Sequence, residues 1–357
     1  MVGGYSIRIS NIIIMAQEKV KEIIKTAPAF AALTDLALGR LGGKVLFCTD
    51  DFFAEKENLL KSGRGVFIAD KYTERGKWMD GWESRRKRTP GHDWAIVQLA
   101  APGIISGFDI DTNFFLGNHP PHASVEAVNL QGRVLPTAAV EADWEQIDWQ
   151  EILPKRHLDA GSQNFYASSS NEIFTHIRLH IYPDGGVARL RVYGQVFKNW
   201  ENVSSEESID LAAALNGAQA LSCNDMFFSD KANLLMPNRG ANMGDGWETK
   251  RNRTPNNKDW VVIKLAHPGV IQKAEVDTCH FKGNYPDSCS IDGCSSSSDA
   301  DVQHDKVQWQ TILPEQKLSA DAIHEFGVDA NSVYTHVRLN IFPDGGISRL
   351  RLWGKKA

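Results

Sequence analysis

The chain has 357 residues, with 42% hydrophobic and 23% charged side chains, a formal net charge of −5 and a pI near 6.1. That is the balance of a globular chain with room for two ordinary domains, each able to bury its own core. The acidic balance excludes a nucleic-acid partner, which would need a basic face, and no apolar run approaches bilayer-spanning length, which excludes a membrane partner.

The first residues carry Arg8 and the short run Ile12–Met15, without the hydrophobic core and cleavage site of a secretory signal. Ala16–Lys25 predicts an amphipathic helix, so Met15 offers an alternative start, and residues 1–29 read as an N-terminal extension. Gly39–Gly43 matches no phosphate loop and predicts a turn. Trp94–Leu99 predicts a strand ended by Pro102–Gly103. Phe108–Thr112 alternates, placing Phe108, Ile110 and Thr112 on one face and Asp109 and Asp111 on the other. Phe174–Ile181 alternates as well, with Thr175, Ile177, Leu179 and Ile181 inward and His176, Arg178 and His180 outward. Pro183–Gly186 predicts a tight turn, after which Leu190 and Val192 face in and Arg189, Arg191 and Tyr193 face out.

The chain is then written a second time. Asp80-Gly-Trp-Glu83 returns as Asp245-Gly-Trp-Glu248, Arg88-Thr-Pro90 as Arg253-Thr-Pro255, and Asp93-Trp94 as Asp259-Trp260. Thr175-His-Ile-Arg-Leu179 answers Thr335-His-Val-Arg-Leu339, and Pro183–Gly186 answers Pro343–Gly346. The offset is 175 up to Leu60, 165 at Asp80, 166 at Asp93 and 160 from Trp149, so the period is that of a duplicated domain. We expect an all-β chain: repeat 1 over 30–198, a polar linker over 199–209 and repeat 2 over 210–357, each a β-sandwich.

The five cysteines are odd in number and form no C-x-x-C pair, which suggests free thiols in a reducing, cytoplasmic setting. The C-terminal Lys355-Lys356-Ala357 is no peroxisomal tripeptide. Structural zinc at Cys279, Cys289 and Cys294 with His280 is not expected, because positions 113, 123 and 128 of the first repeat are Asn, Ala and Val. No nucleotide fingerprint, zinc-protease motif or nucleophile elbow occurs, so no organic cofactor is expected, and divalent-metal dependence stays open.

Candidate site residues come from the polar faces and loops. Asp80, Glu83 and Asp111 offer carboxylates for acid–base work, and His119 and His176 can move protons near neutral pH. Arg86, Arg178, Arg189 and Arg191, with Asn118, can hold a carboxylate-bearing substrate. Each also has a plainer reading, as a repeated surface ion pair or a loop-shaping contact. His119 and His122 become Tyr285 and Ser288 in the second copy, so the shared fold does not require them. We therefore expect proton transfer from the His119 loop, with repeat 2 assembling or completing the pocket.

These motifs resemble the allantoicase family. The resemblance rests on the Asp50–Leu59 segment, Gly-Trp-Glu before basic residues, Asp-Thr followed by Phe-x-Gly-Asn-His-Pro-Pro, and the run from Phe174 to Gly194. It covers roughly residues 30 to 356. It implies tandem jelly-roll domains of the galactose-binding-like type, a homo-oligomer, and hydrolysis of allantoate to ureidoglycolate and urea in purine degradation. The alternatives are a non-catalytic ligand-binding sandwich pair and an enzyme acting on ureidoglycolate. Urea release from allantoate separates the three.

Overall fold

The computed structural model describes residues 26–133, 141–328 and 332–357. The expected helix over Ala16–Lys25, and the extension apart from residues 26–29, lie outside the described residues.

The first repeat runs through β1 (Thr34–Asp35), β2 (Lys44–Cys48), β3 (Tyr72–Thr73), β4 (Gly76–Lys77), β5 (Trp82–Glu83) and β6 (Asp93–Asp111). It continues with β7 (His122–Val128), β8 (Gln150–His157), β9 (Phe165–Ala167), β10 (Ile173–Tyr182), β11 (Gly186–Val187) and β12 (Arg189–Val196). The second repeat begins with β13 (Ile209–Asp210), β14 (Gln219–Cys223), β15 (Trp247–Glu248), β16 (Asp259–Asp277) and β17 (Ser288–Cys294). It ends with β18 (Gln310–Lys317), β19 (Ile323–Gly327), β20 (Tyr334–Phe342), β21 (Gly346–Ile347) and β22 (Arg349–Lys356). The described residues carry only short helices, and the architecture is two tandem jelly-roll sandwiches. No described helix is long and apolar enough to cross a membrane.

One strand organises each sandwich. β6 is 19 residues long, and its two halves belong to opposite layers. Its first half pairs with β2 on one side and with β10 on the other, which leads on to β7 and β8. Its second half pairs with β12 and β9. β16 does the same in the second repeat.

This corrects the expectation that the strand beginning at Trp94 ends at Pro102–Gly103. The backbone stays extended, and the Pro–Gly pair marks the transfer between layers. A Cβ at Gly103 would meet the Gln195 carbonyl and a Leu36 methyl, each at 2.7 Å. The glycine is required by close approach of neighbouring chain, which an alternation pattern cannot distinguish from a stop.

A second correction concerns the turn at Pro183–Gly186. It forms, with Gly185 at φ 139°, but it does not join two paired strands. β10 pairs with the first half of β6, whereas β12 places Arg189 opposite Asp111 and Arg191 opposite Asp109 on the second half. His176 and Arg178 therefore sit in a different layer from Arg189 and Arg191. Nor is the outer face of β10 open. His176 and His180 are 3% and 7% exposed, in a layer whose outside is covered by Trp94, Trp144, Val128 and Leu130. Alternation reported two distinct faces correctly, but a second small apolar cluster closes the polar one.

Inside each sandwich the core is built from alternate strand positions, including Phe108, Ile110, Ile177, Leu179, Leu190 and Val192. Trp82 and Trp247 are fully buried, and each indole N–H donates to a backbone carbonyl at 2.8 Å, Asp50 for Trp82 and Asp225 for Trp247. A buried indole needs such a partner, so the Gly-Trp-Glu loop is anchored in both repeats. The two repeats are also packed on each other. Leu41 belongs to the second repeat's core, with Leu38 and Ala100 at its edge, and Lys198 Nζ donates to Asn216 Oδ1 at 2.7 Å.

A candidate active-site cleft between the repeats

The second half of β6 ends at the seam between the two sandwiches, above a cleft of about 400 Å³. Asp109 and Asp111 on β6, Arg189, Arg191 and Tyr193 on β12, Asp35 on β1, and Arg64 and Gln163 on loops line the first-repeat side. Gln219, Asp230, Lys231, Asn233 and Met236 close it from the second repeat. Strand alternation is what delivers the polar side chains. Phe108, Ile110, Leu190 and Val192 point into the core, so Asp109, Asp111, Arg189 and Arg191 must point out of it.

Each carboxylate has a different environment. Asp111, 1% exposed, accepts Arg64 Nε at 2.9 Å and Arg64 Nη2 at 3.1 Å, a bidentate pair that fixes the guanidinium at the cleft wall. The Asn113 amide donates to it as well, at 2.9 Å. Asp80 lies behind the cleft, where its Oδ2 accepts Arg189 Nη2 at 2.6 Å and the Val66 amide at 3.0 Å. Burial pushes the Asp80 carboxyl up, but the Arg189 contact, the Val66 amide and the nearby Lys61 outweigh it and leave its pKa lowered. Asp35 holds the next guanidinium, with Arg191 Nη1 at 3.3 Å. Arg191 Nη2 also donates to the Lys61 carbonyl at 2.6 Å.

Among the described residues, Asp109 has no such direct cation. It is 2% exposed, and it accepts Gln163 Nε2 at 2.7 Å and the Asn164 amide at 3.1 Å. Burial first, and the Asp111 charge second, push its pKa to about 7, against the pull of those two donors and of Arg191. A carboxyl poised near neutrality in a cleft is equipped to give and take a proton. Sequence reasoning placed Asp109 beside Asp111 but did not select it, because its counterpart is Glu275 and identity between the copies was the guide. Arg64 and Asp35 were also missed, although each recurs, as Arg239 and Asp210. Gln163 gave no signal, since its counterpart is Ile323.

The other expected residues gather elsewhere. Glu83 and Asn118 meet at 2.6 Å on the loop side of β5, and burial raises the Glu83 pKa against that hydrogen bond. Glu248 and Asn284 make the same contact in the second repeat, as expected for a pair that shapes a loop. His119 is half-buried on that loop, outside the cleft, and Arg86 is exposed. His122 packs edge-on against His157 with ring centroids 5.5 Å apart. His176 Nδ1 lies 2.8 Å from Thr175 Oγ1, and burial drives its pKa down to about 4. Arg178 donates to Glu126 at 2.7 Å and stacks over Trp94 and Trp149. Of the ten expected residues, the structure brings Asp111, Arg189 and Arg191 to the cleft, with Asp80 directly behind.

The duplicated arrangement in the second repeat is not a copy of this cleft. Arg239 grips Asp277 and Arg349 pairs with Asp245. There, however, the first repeat's Arg40 also pairs with Asp245 across the seam. Leu215 occupies the position matching Arg40, so this bridge has no reciprocal.

The allantoicase repeat model matches residues 34–197 and 209–357. A probable allantoicase of Photobacterium profundum is 50% identical over 335 residues, spanning 92% of this chain and 98% of that protein. A probable allantoicase of Pseudomonas fluorescens is 49% identical over 333 residues, spanning 92% and 98%. The crystal structure of allantoicase from Saccharomyces cerevisiae superposes with a TM-score of 0.78 at 36% identity, covering 96% of this chain and 98% of that one. With both repeats matched along nearly their whole length, the chain belongs to the allantoicase family.

Proposed function

We propose that the cleft between the repeats is where this chain hydrolyses allantoate to ureidoglycolate and urea, with Asp109 moving the proton. The observation that carries this reading is a buried carboxyl with a pKa near 7 beside a wall of guanidinium groups. Arg40, Arg64, Arg189, Arg191 and Lys231 outnumber Asp35, Asp109, Asp111 and Asp230 around the cleft, which suits an anionic substrate. Asp111 and Asp35 fix the Arg64 and Arg191 guanidinium groups at the cleft wall, so their charge is in place for a substrate carboxylate.

The central carbon of allantoate carries one carboxylate and two ureido groups. In the proposed step, protonated Asp109 gives its proton to the nitrogen of the departing ureido group as that C–N bond breaks, releasing urea. The retained ureido nitrogen lends its lone pair to the electron-poor carbon. Water then bonds to that carbon through oxygen and returns a proton to Asp109, so the carboxyl is restored and atoms balance. Gln163 keeps the Asp109 carboxyl aimed, and its amide is suited to the ureido carbonyl.

Purified chain and allantoate, with urea followed over time, test the activity. Arg64→Ala tests the site, because losing a charge-assisted contact to the substrate should raise KM about ten- to a hundredfold. Unchanged kinetics in that variant would move the carboxylate-binding role elsewhere. Domain limits of 30–198 and 210–357 about the 199–209 linker, homo-oligomeric assembly, a cytoplasmic setting and independence from organic cofactors belong to the same proposal.

A further inference from the structure

The second repeat carries a chemistry that the first lacks. One ligand atom each from Cys279, His280 and Asp321 lies within 4.8 Å of the others, the one such group of three His, Cys, Asp or Glu side chains among the described residues. They come from two loops, the segment just after β16 and the turn before β19. The first repeat builds the same two loops. Thr112 Oγ1 donates to the Asp159 and Ser162 carbonyls there, and Thr278 Oγ1 donates to those of Ser319 and Ala322 here.

With the loops equivalent, the substitutions stand out. Cys279, His280 and Asp321 replace Asn113, Phe114 and Gly161, so the loop fold needs none of the three. Backbone conformation is kept: φ is 67° at Phe114 and 70° at His280, 61° at Gly161 and 51° at Asp321. Gly161 meets its left-handed conformation without strain, and the aspartate that replaces it adds a carboxylate at the same backbone position.

Orientation supports coordination. His280 Nε2 lies 2.8 Å from the Gly240 carbonyl, which can only accept, so the neutral ring holds its proton there and offers Nδ1 as the lone-pair nitrogen. A ligating histidine is typically fixed by such a contact on its other nitrogen. Asp321 Oδ1 accepts the His280 amide at 2.7 Å, which ties the two loops together. Cys279 is 6% exposed, and its thiol is held up in pKa by burial and then by its acidic neighbours. Of the surrounding cations, Arg239 is already paired with Asp277 at 2.9 Å, and Lys282 stands 3.9 Å from Asp321.

We propose that Cys279, His280 and Asp321 form a divalent transition-metal site of the zinc type, with water in the fourth position. Thiolate and imidazole select a borderline ion such as Zn²⁺ or Co²⁺ over Mg²⁺ or Ca²⁺. Binding replaces the thiol proton, so one proton is released per ion and affinity rises with pH. Because the sibling loop holds its shape with Asn, Phe and Gly, the site is an addition to the fold and separate from the cleft.

The test is titration of the full, chelator-treated chain with Co²⁺, followed by its thiolate charge-transfer absorption, and then displacement by Zn²⁺. One equivalent per chain should bind, with the band absent in Cys279→Ser. The combined variant Cys279→Asn, His280→Phe and Asp321→Gly, which copies the first repeat, should lower Zn²⁺ affinity at least about tenfold. No thiolate band in the unaltered chain overturns the proposal. So does a band that survives Cys279→Ser, since Cys48, Cys223, Cys289 or Cys294 would then be the ligand. If the combined variant fails to fold, the near-isosteric serine variant still decides.

Discussion

Replacing Asp109 by asparagine separates catalysis from stability in opposite directions. The substitution keeps the shape and removes the ionisable proton. If Asp109 is the proton donor, kcat/KM for urea release should fall about a hundred- to ten-thousandfold, the usual worth of a positioned general acid–base group. The unaltered chain should show a pH–rate inflection near pH 7, and the variant should lack it. Stability should move the other way. The folded carboxyl keeps its proton up to about pH 7, against a reference of 3.8. Its contribution is therefore fully present below pH 3.8 and is lost as pH rises toward 7. A shift of about three units corresponds to about 4 kcal/mol at most. Asparagine has no charge to desolvate, so above pH 7 the variant should melt at a higher temperature than the unaltered chain, with the gap closing toward pH 4. Thermal melts across that range, run beside urea-release assays, measure both effects. A variant that keeps its rate and pH profile refutes the role of Asp109. A melting difference independent of pH refutes the burial argument.

Other expectations follow from the same geometry. Arg189→Met should destabilise the first repeat by about 3–5 kcal/mol, because it takes from buried Asp80 the guanidinium that hydrogen-bonds it. Unfolding monitored by circular dichroism would show it, and a variant of unchanged stability would mean the pair is dispensable. Arg189 thus departs from the outward arginine expected of an alternating strand, whose loss leaves a sandwich intact. His119→Tyr should keep near-full urea release across the pH range, since His119 lies outside the cleft. A collapse of activity in that variant would place the chemistry on the His119 loop and remove it from the seam.

The duplication, the all-β class and the core faces were legible because alternation and turn residues repeat, and each copy checks the other. Trp82 as an anchor and Asp111 as an outward carboxylate both came from that pattern. The site was only partly legible. Alternation says that Asp109 and Arg189 leave the core, but not whether solvent, an ion pair or a second domain meets them. His176 shows the limit: its face is polar by pattern, yet Trp144 packs at 6.4 Å and the ring is buried. Repetition also steered the choice of candidates. It drew attention to Asp80, Glu83 and their twins, which hold loops in both copies, and away from Asp109 and Gln163, where the copies diverge.

The 19-residue strand has a consequence for how this protein can change. Asp109 and Asp111 reach the cleft only because Phe108 and Ile110 are fastened in the core on the other side of the same ribbon. Adding or deleting one residue near Pro102 would exchange the two sets, turning carboxylates into the apolar interior and an aromatic ring into the cleft. Drift in length is thus shut out of the segment that carries the carboxyls. It is left to segments off the main sheets, such as the stretch between Leu60 and Asp80 that carries β3 and β4, where the first copy has ten residues that the second lacks.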